Sequence, residues 1–221
     1  MIPPKVKICC ISSVEEANLA IQYGASALGL VSAMPSGPGP ISEELITEIV
    51  SHIPDGIASF LLTSKQDADS IIAQQRMTKT NTLQLVDSVS IDVYETLRKE
   101  LHQISIVQVI HVVDESSIEE AKSVVPFVDM ILLDSGNQNL TVKELGGTGR
   151  KHDWNLSRRI VESVNKPVFL AGGLNAENVR EAMEFVQPYG LDLCSGVRTN
   201  GKLDEEKLKR FFESVTCQSA D

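Results

Sequence analysis

Short apolar runs separated by polar stretches recur from one end of the chain to the other. They fall at Val6 to Ile11, Ala27 to Val31, Ile57 to Leu62, Thr82 to Val86, Ile104 to His111, Val128 to Leu133, Pro167 to Ala171 and Leu191 to Cys194, and each reads as a strand. The segments between them carry helix signals. Ser13 precedes Val14-Glu15-Glu16-Ala17, Asp114 precedes Glu115, and Asn175 precedes Ala176-Glu177-Asn178-Val179. At each of these places a short polar side chain can cap free backbone N–H groups. Strands alternating with helices of about ten residues predict a parallel sheet, and eight such units favour a closed (β/α)8 TIM barrel over an open doubly wound sheet. There is no solenoid-type period, low-complexity tract or Pro/Gly-rich linker, so residues 1–221 are expected to form one α/β domain.

In such a barrel the loops that follow the strands line the functional face. Cys9 closes the first strand, Met34-Pro35-Ser36-Gly37-Pro38-Gly39-Pro40 follows the second, and His111 ends the fifth. Asp134 ends the sixth, Gly172-Gly173 the seventh and Ser195-Gly196 the eighth, so these residues should converge on one pocket. Gly146-Gly147-Thr148-Gly149 lies between Asp134 and Asp153-Trp154. Glycine clusters at strand ends let the backbone approach an anion without Cβ obstruction and offer N–H groups to phosphate oxygens. A phosphorylated small molecule is the expected ligand.

Composition narrows the classes. Hydrophobic residues make up 42% and charged residues 23% of the chain, ordinary for a globular protein. The formal net charge of -10 repels a polyanion, which argues against nucleic acid as a partner. A local site of glycine N–H groups and helix N-termini still binds a small phosphate, because distant surface charge is screened. No apolar run approaches the roughly 20 residues of a membrane span, and Met1-Ile2-Pro3-Pro4-Lys5 lacks the apolar stretch of a signal peptide. Cys9, Cys10, Cys194 and Cys217 show no spaced pairing of a secreted framework, so a reducing cytoplasm is expected. His52, His102 and His152 have no ligand spacing with a cysteine or with each other, and neither a metal nor an organic cofactor is implied. A lone histidine such as His111 is expected to be a hydrogen-bonded wall residue.

These motifs resemble those of the phosphoribosylanthranilate isomerase family. Its first strand reads Lys-Ile-Cys-Gly, and its later loops read Gly-Gly-Thr-Gly, Asp-Trp, Ala-Gly-Gly-Leu and Ser-Ser-Gly-Val. The counterparts are Lys7-Ile8-Cys9-Cys10, Gly146 to Gly149, Asp153-Trp154, Ala171 to Leu174 and Cys194-Ser195-Gly196-Val197, with Gly24 to Gly29 and Asn175 to Val179 in order between them. The resemblance implies a (β/α)8 isomerase of tryptophan biosynthesis. In that reaction, an Amadori rearrangement, an acid protonates the furanose oxygen as the ring opens and a base removes the C2′ proton. Asp134 matches the acid and Cys9 the base, a division that the two proton transfers require. Gly147, Gly149, Gly172, Gly173, Ser195 and Gly196 match the substrate and phosphate loops, Asp192 matches an aspartate near the ligand, and Lys7 is expected among the substrate-binding residues as well.

Strand alternation places Lys7 with Cys9 on the inner face, where Lys7 would favour the Cys9 thiolate, and turns Cys10 toward the surrounding helices. Cys10, Cys194 and Cys217 are accordingly expected to be structural. Other readings of the site residues are a small buried hydrophobe for Cys9, a cap for Asp134 and an inward polar wall residue for Asp192.

Three departures concern the amine half of the substrate. The family's Ser-Pro-Arg after the second strand, whose arginine receives the anthranilate carboxylate, is here Ser36-Gly37-Pro38-Gly39-Pro40. Losing a charge-assisted hydrogen bond of that kind costs about 1.5–3 kcal/mol, a roughly ten- to hundredfold loss in affinity. Gln84-Leu85-Val86-Asp87 stands where Gln-Leu-His-Gly is usual, and Arg198 replaces a glutamate. Arg198 or Arg150 could restore the cation, although either reads more readily as a solvated surface residue. Three functions therefore remain in view: the anthranilate isomerase itself, an isomerase of another phosphosugar, and a phosphometabolite-binding barrel without chemistry. Monomer and homodimer are both compatible with the sequence.

Overall fold

The computed structural model describes residues 3–136 and 152–216. Eight parallel strands close into a barrel in chain order. They are β1 (Lys5–Ile8), β2 (Ala27–Val31), β3 (Ala58–Thr63), β4 (Thr82–Leu85), β5 (Ser105–His111), β6 (Met130–Asp134), β7 (Val168–Leu170) and β8 (Gly190–Leu193). The helices between and after them are α1 (Val14–Gln22), α2 (Glu43–Ser51), α3 (Ala68–Thr78), α4 (Ile91–Glu100), α5 (Ser116–Val124), α6 (Trp154–Ser163), α7 (Val179–Val186) and α8 (Glu205–Thr216). A two-stranded hairpin, Arg198–Thr199 with Lys202–Leu203, separates β8 from α8. None of the described helices is long and apolar enough to cross a membrane.

Strand alternation sorts the apolar residues into two cores. Phe60, Leu62, Val107, Val109, Leu132, Phe169 and Ala171 fill the barrel interior, where Phe60 and Phe169 meet edge to face with centroids 6.0 Å apart. Their neighbours one residue along, such as Leu61, Ile106, Ile110, Ile131, Leu133 and Leu170, point outward and pack under the helices. Both faces of each strand are thus covered, which is why the strands read as continuous apolar runs. Closure is made by β1 against β8, where Lys7 pairs in register with Asp192 and Ile8 with Leu193.

The helix caps follow local chemistry, with two shifts. Ser13 Oγ accepts from Glu16 N at the start of α1, as expected. At α5 the cap position is Glu115, while Asp114 accepts from Ser116 N at 2.8 Å. Asn175 accepts from Glu177 N and Asn178 N, closing a turn, and α7 itself begins only at Val179. β1 also stops at Ile8 rather than Ile11, because Cys10 takes φ 62°, a left-handed value that no strand residue adopts.

Candidate active site

The ends of β1, β6, β7 and β8 meet around one cleft of about 650 Å³, its mouth included. Cys9, Asp134, Gly172, Gly173, Asp192 and Ser195 all line it. Gly196 sits one residue behind Ser195 in a single turn of 3-10 helix. Gly147 and Gly149 lie outside the described residues, as do Arg150 and Cys217.

Cys9 is 6% exposed and sits just past β1, its N–H donating to Leu193 O at 2.7 Å. A hydrogen bond from the Cys10 thiol holds the Cys9 thiol below the ordinary range; burial opposes this, and the Lys7 ammonium adds to it. Lys7 does not line the cleft. It is fully buried beneath, with its Nζ 2.9 Å from Asp192 Oδ1 and 5.1 Å from the Phe60 ring centroid. Burial works to lower the Lys7 pKa, but Asp192, and after it Cys9, outweigh burial and push it upward. Burial pushes the Asp192 carboxyl up while Lys7 pulls against it, so the proton of the pair stays on Lys7 and Asp192 is the member nearer neutralisation.

Asp134 is the last residue of β6 and is 8% exposed, with Oδ1 accepting from Ser135 N at 2.7 Å. Asp134 and Asp192 both line the cleft. The loops after β7 and β8 are shaped by close approach. Gly172 and Gly173 take φ 83° and 64° in succession, conformations suited to glycine. A Cβ on Gly196 would overlap the Leu174 carbonyl oxygen, so the β7 and β8 loops touch backbone to backbone.

Several residues differ from expectation. Cys10 does not face the helices: its left-handed φ swings the thiol into the cleft, where Cys194 Sγ lies 2.7 Å away and Pro38 O 3.5 Å away. A non-glycine residue in this conformation costs roughly 1–2 kcal/mol. Cys194, expected to be structural, lines the cleft as well. Arg198 is neither a solvated surface arginine nor a cation facing the ligand. It is 9% exposed, and its guanidinium donates to both Glu16 carboxylate oxygens at 3.0 Å and to the Cys9 and Cys10 carbonyls. It thereby fastens the turn after β1. Among the described residues no lysine or arginine lines the cleft, so the family's arginine after β2 has no described counterpart there.

Gln84 is a cleft residue that the motifs do not single out. It lines the cleft at 3% exposure with its Oε1 unpartnered. Period-two alternation in β4, with Thr82 and Gln84 on the inner face, was the available signal. Asp87 accepts from Ser88 N and is not part of the cleft wall. His111 is the expected wall residue, with Nε2 3.0 Å from Val86 O.

Known proteins share this fold and much of this sequence. The family model for N-(5'-phosphoribosyl)anthranilate (PRA) isomerase matches residues 6–214. An N-(5'-phosphoribosyl)anthranilate isomerase of Methanosarcina acetivorans is 33% identical, covering 99% of this chain and 96% of its own. N-(5'-phosphoribosyl)anthranilate isomerase 2 of Methanosarcina mazei is 37% identical over 94% of this chain and 92% of its own. A phosphoribosyl anthranilate isomerase crystallised with reduced 1-(o-carboxyphenylamino)-1-deoxyribulose 5-phosphate superposes with a TM-score of 0.77 at 28% identity, covering 96% and 98% of the two chains. Monomers generated from the dimeric Thermotoga maritima enzyme superpose with the same TM-score of 0.77 at 27% identity and the same coverage.

Proposed function

Because the chain belongs to the N-(5'-phosphoribosyl)anthranilate isomerase family, we propose that Cys9 and Asp134 carry out its reaction as general base and general acid. The enzyme converts N-(5'-phosphoribosyl)anthranilate to 1-(2-carboxyphenylamino)-1-deoxyribulose 5-phosphate, a step of tryptophan biosynthesis. The observation that carries the residue assignment is that a thiol with a lowered pKa and a carboxyl three strands away around the barrel line one cleft.

The proton balance suits two groups. Asp134 gives its proton to the furanose oxygen as the C1′–O bond breaks, and the anthranilate nitrogen lone pair forms the imine. The Cys9 thiolate then takes the C2′ proton, its electron pair runs into the imine, and an enolamine results that tautomerises to the ketone. Lys7 stays out of contact with the substrate and stabilises the thiolate from below. Gly172, Gly173, Ser195 and Gly196 hold the phosphate with backbone N–H groups, and that binding positions C2′ over the sulfur. Gly147 and Gly149 fall within the same proposal through their motif. The aromatic amine meets the apolar wall of Met34, Pro38 and Leu62. The free thiols of Cys9, Cys10 and Cys194 fit a reducing compartment, the cytoplasm.

Cys9→Ser and Asp134→Asn should each lower kcat by about 10²-fold or more, the usual weight of a general acid or base, with little change in phosphate affinity. Restored growth of a tryptophan auxotroph lacking this isomerase should follow with the unaltered chain and fail with both variants. If either variant keeps kcat within about tenfold, the roles belong to other groups.

A further inference from the structure

Two cysteines outside the acid–base pair meet at the edge of the same cleft. Cys10 and Cys194 come from loops after β1 and β8, the strands joined at barrel closure, and are 184 positions apart in sequence. Their sulfurs are 2.7 Å apart, and both residues line the cleft as free thiols. A small side-chain adjustment brings such a pair to the ~2.05 Å of a disulfide.

The backbone also sets Cys10 apart. Other non-glycine residues with left-handed φ have local reasons for it: Lys79 and Gln187 end α3 and α7, and Asn200 turns the hairpin. Cys10 instead follows a strand, and its φ of 62° is what delivers the sulfur to Cys194. Strain held at a functional cleft calls for a function of the strained residue.

We propose that Cys10 and Cys194 are a redox modification site, closing to a reversible disulfide that ties the β1 and β8 loops together and turns the isomerase down. A low-molecular-weight disulfide is the oxidant. The thiolate of Cys194, the more exposed of the two, attacks one sulfur of the oxidant and releases one thiol. Cys10 then attacks Cys194 Sγ in the mixed disulfide and releases the second. Two protein thiols become one disulfide, the oxidant becomes two thiols, and the two protein protons leave with them. Hydrogen bonding to Cys194 and Cys9 and burial push the Cys10 thiol up, which makes it the poorer first nucleophile; it attacks only after Cys194 Sγ, held beside it, has become the electrophile of the mixed disulfide and no longer shares a hydrogen bond with it. Once formed, the cross-link joins two residues of the cleft wall and clamps the turn that carries Cys9, so the site can no longer adjust around the substrate at its base. The modification site stands whatever Cys9 does, whereas the loss of activity rests on Cys9 as the base.

The test treats the reduced full-length chain with oxidised glutathione and follows intact mass, non-reducing peptide maps with fragmentation, and turnover. The expected result is a loss of about 2 Da mapped to Cys10–Cys194, with turnover down at least about fivefold and restored by dithiothreitol. Cys10→Gly, which relaxes the backbone, and Cys194→Ser should each form no such cross-link and show equal turnover before and after oxidant. Cys9→Ser, inactive as an isomerase, should still form it. A cross-link mapped to Cys9, or an unresolved glutathione adduct on Cys194, overturns the site. A Cys10–Cys194 cross-link with undiminished turnover overturns the switch, and a reduced enzyme with no turnover counts against the proposed function instead.

Discussion

Replacing Lys7 with methionine tests how the site is held from below. The change keeps the length of the side chain but strands the Asp192 carboxylate, which is 8% exposed and bonded to Lys7 at 2.9 Å. Breaking a buried pair by removing one partner costs about 3–5 kcal/mol at neutral pH. At about 2–4 °C per kcal/mol for a chain of this size, the melting temperature should fall by roughly 6–20 °C. The pH dependence is specific. Burial already raises the Asp192 carboxyl, and without Lys7 only the Leu193 backbone hydrogen bond is left to oppose burial and the neighbouring Asp134. A carboxyl with a raised folded pKa contributes stability that is fully present below its unfolded value of about 3.9 and is lost as pH rises through the folded value. The deficit of Lys7→Met against the unaltered chain should therefore be small near pH 5 and large near pH 8. Urea unfolding followed by circular dichroism at both pH values measures it. Lys7→Met/Asp192→Leu, which removes both charges, should recover most of the stability while kcat stays low, because Cys9 has lost the cation beneath it. A single variant that loses less than about 1 kcal/mol at pH 8, or loses the same amount at both pH values, would refute the ion-pair reasoning.

Two further substitutions probe the loops above. Gly196→Ala places a Cβ against the Leu174 carbonyl oxygen, so the β7 and β8 loops must part; the enzyme should bind inorganic phosphate at least about tenfold more weakly by calorimetry while Cys9 alkylation proceeds normally, and unchanged phosphate affinity would remove these loops from the phosphate site. Arg198→Met releases Glu16 and the Cys9 and Cys10 carbonyls at a cost of roughly 1.5–3 kcal/mol in urea unfolding. Burial opposes ionisation of Glu16, but hydrogen bonds from Arg198 and Leu203 N hold its carboxyl below the usual range. Its contribution is present above the unfolded value of about 4.3 and lost as pH falls through the folded one, so the variant should be less stable at pH 7 and show a flatter acid limb than the unaltered chain. An acid limb identical in the two proteins would mean that the pair is not formed in solution.

Much of the barrel could be read along the chain. β2 runs over Ala27–Val31, the span its apolar run predicts, and Ser13 caps α1 where the sequence places it. Both features depend on neighbouring residues alone, an apolar run in one case and a hydroxyl three positions before an N–H in the other. Helix starts were less legible at Asn175, because its side chain serves a turn as well as it serves a helix, and Asn178 is the residue that precedes α7. Alternation placed Cys9 on the cleft, but it misplaced Cys10, since period-two reasoning holds only while the backbone stays extended.

The chain by itself determined eight strand–helix units, the loops that face one cleft, and the thiol and carboxylate at the ends of the first and sixth units. Tertiary structure decided which charges are spent on the scaffold. Lys7 and Asp192, 185 positions apart, became partners only when β1 met β8. Arg198 was drawn inward by Glu16 and by carbonyls of the β1 turn. The reason is the range of the interactions: periodicity and capping are set within a few residues, whereas desolvation and charge pairing depend on what closure of the barrel brings alongside.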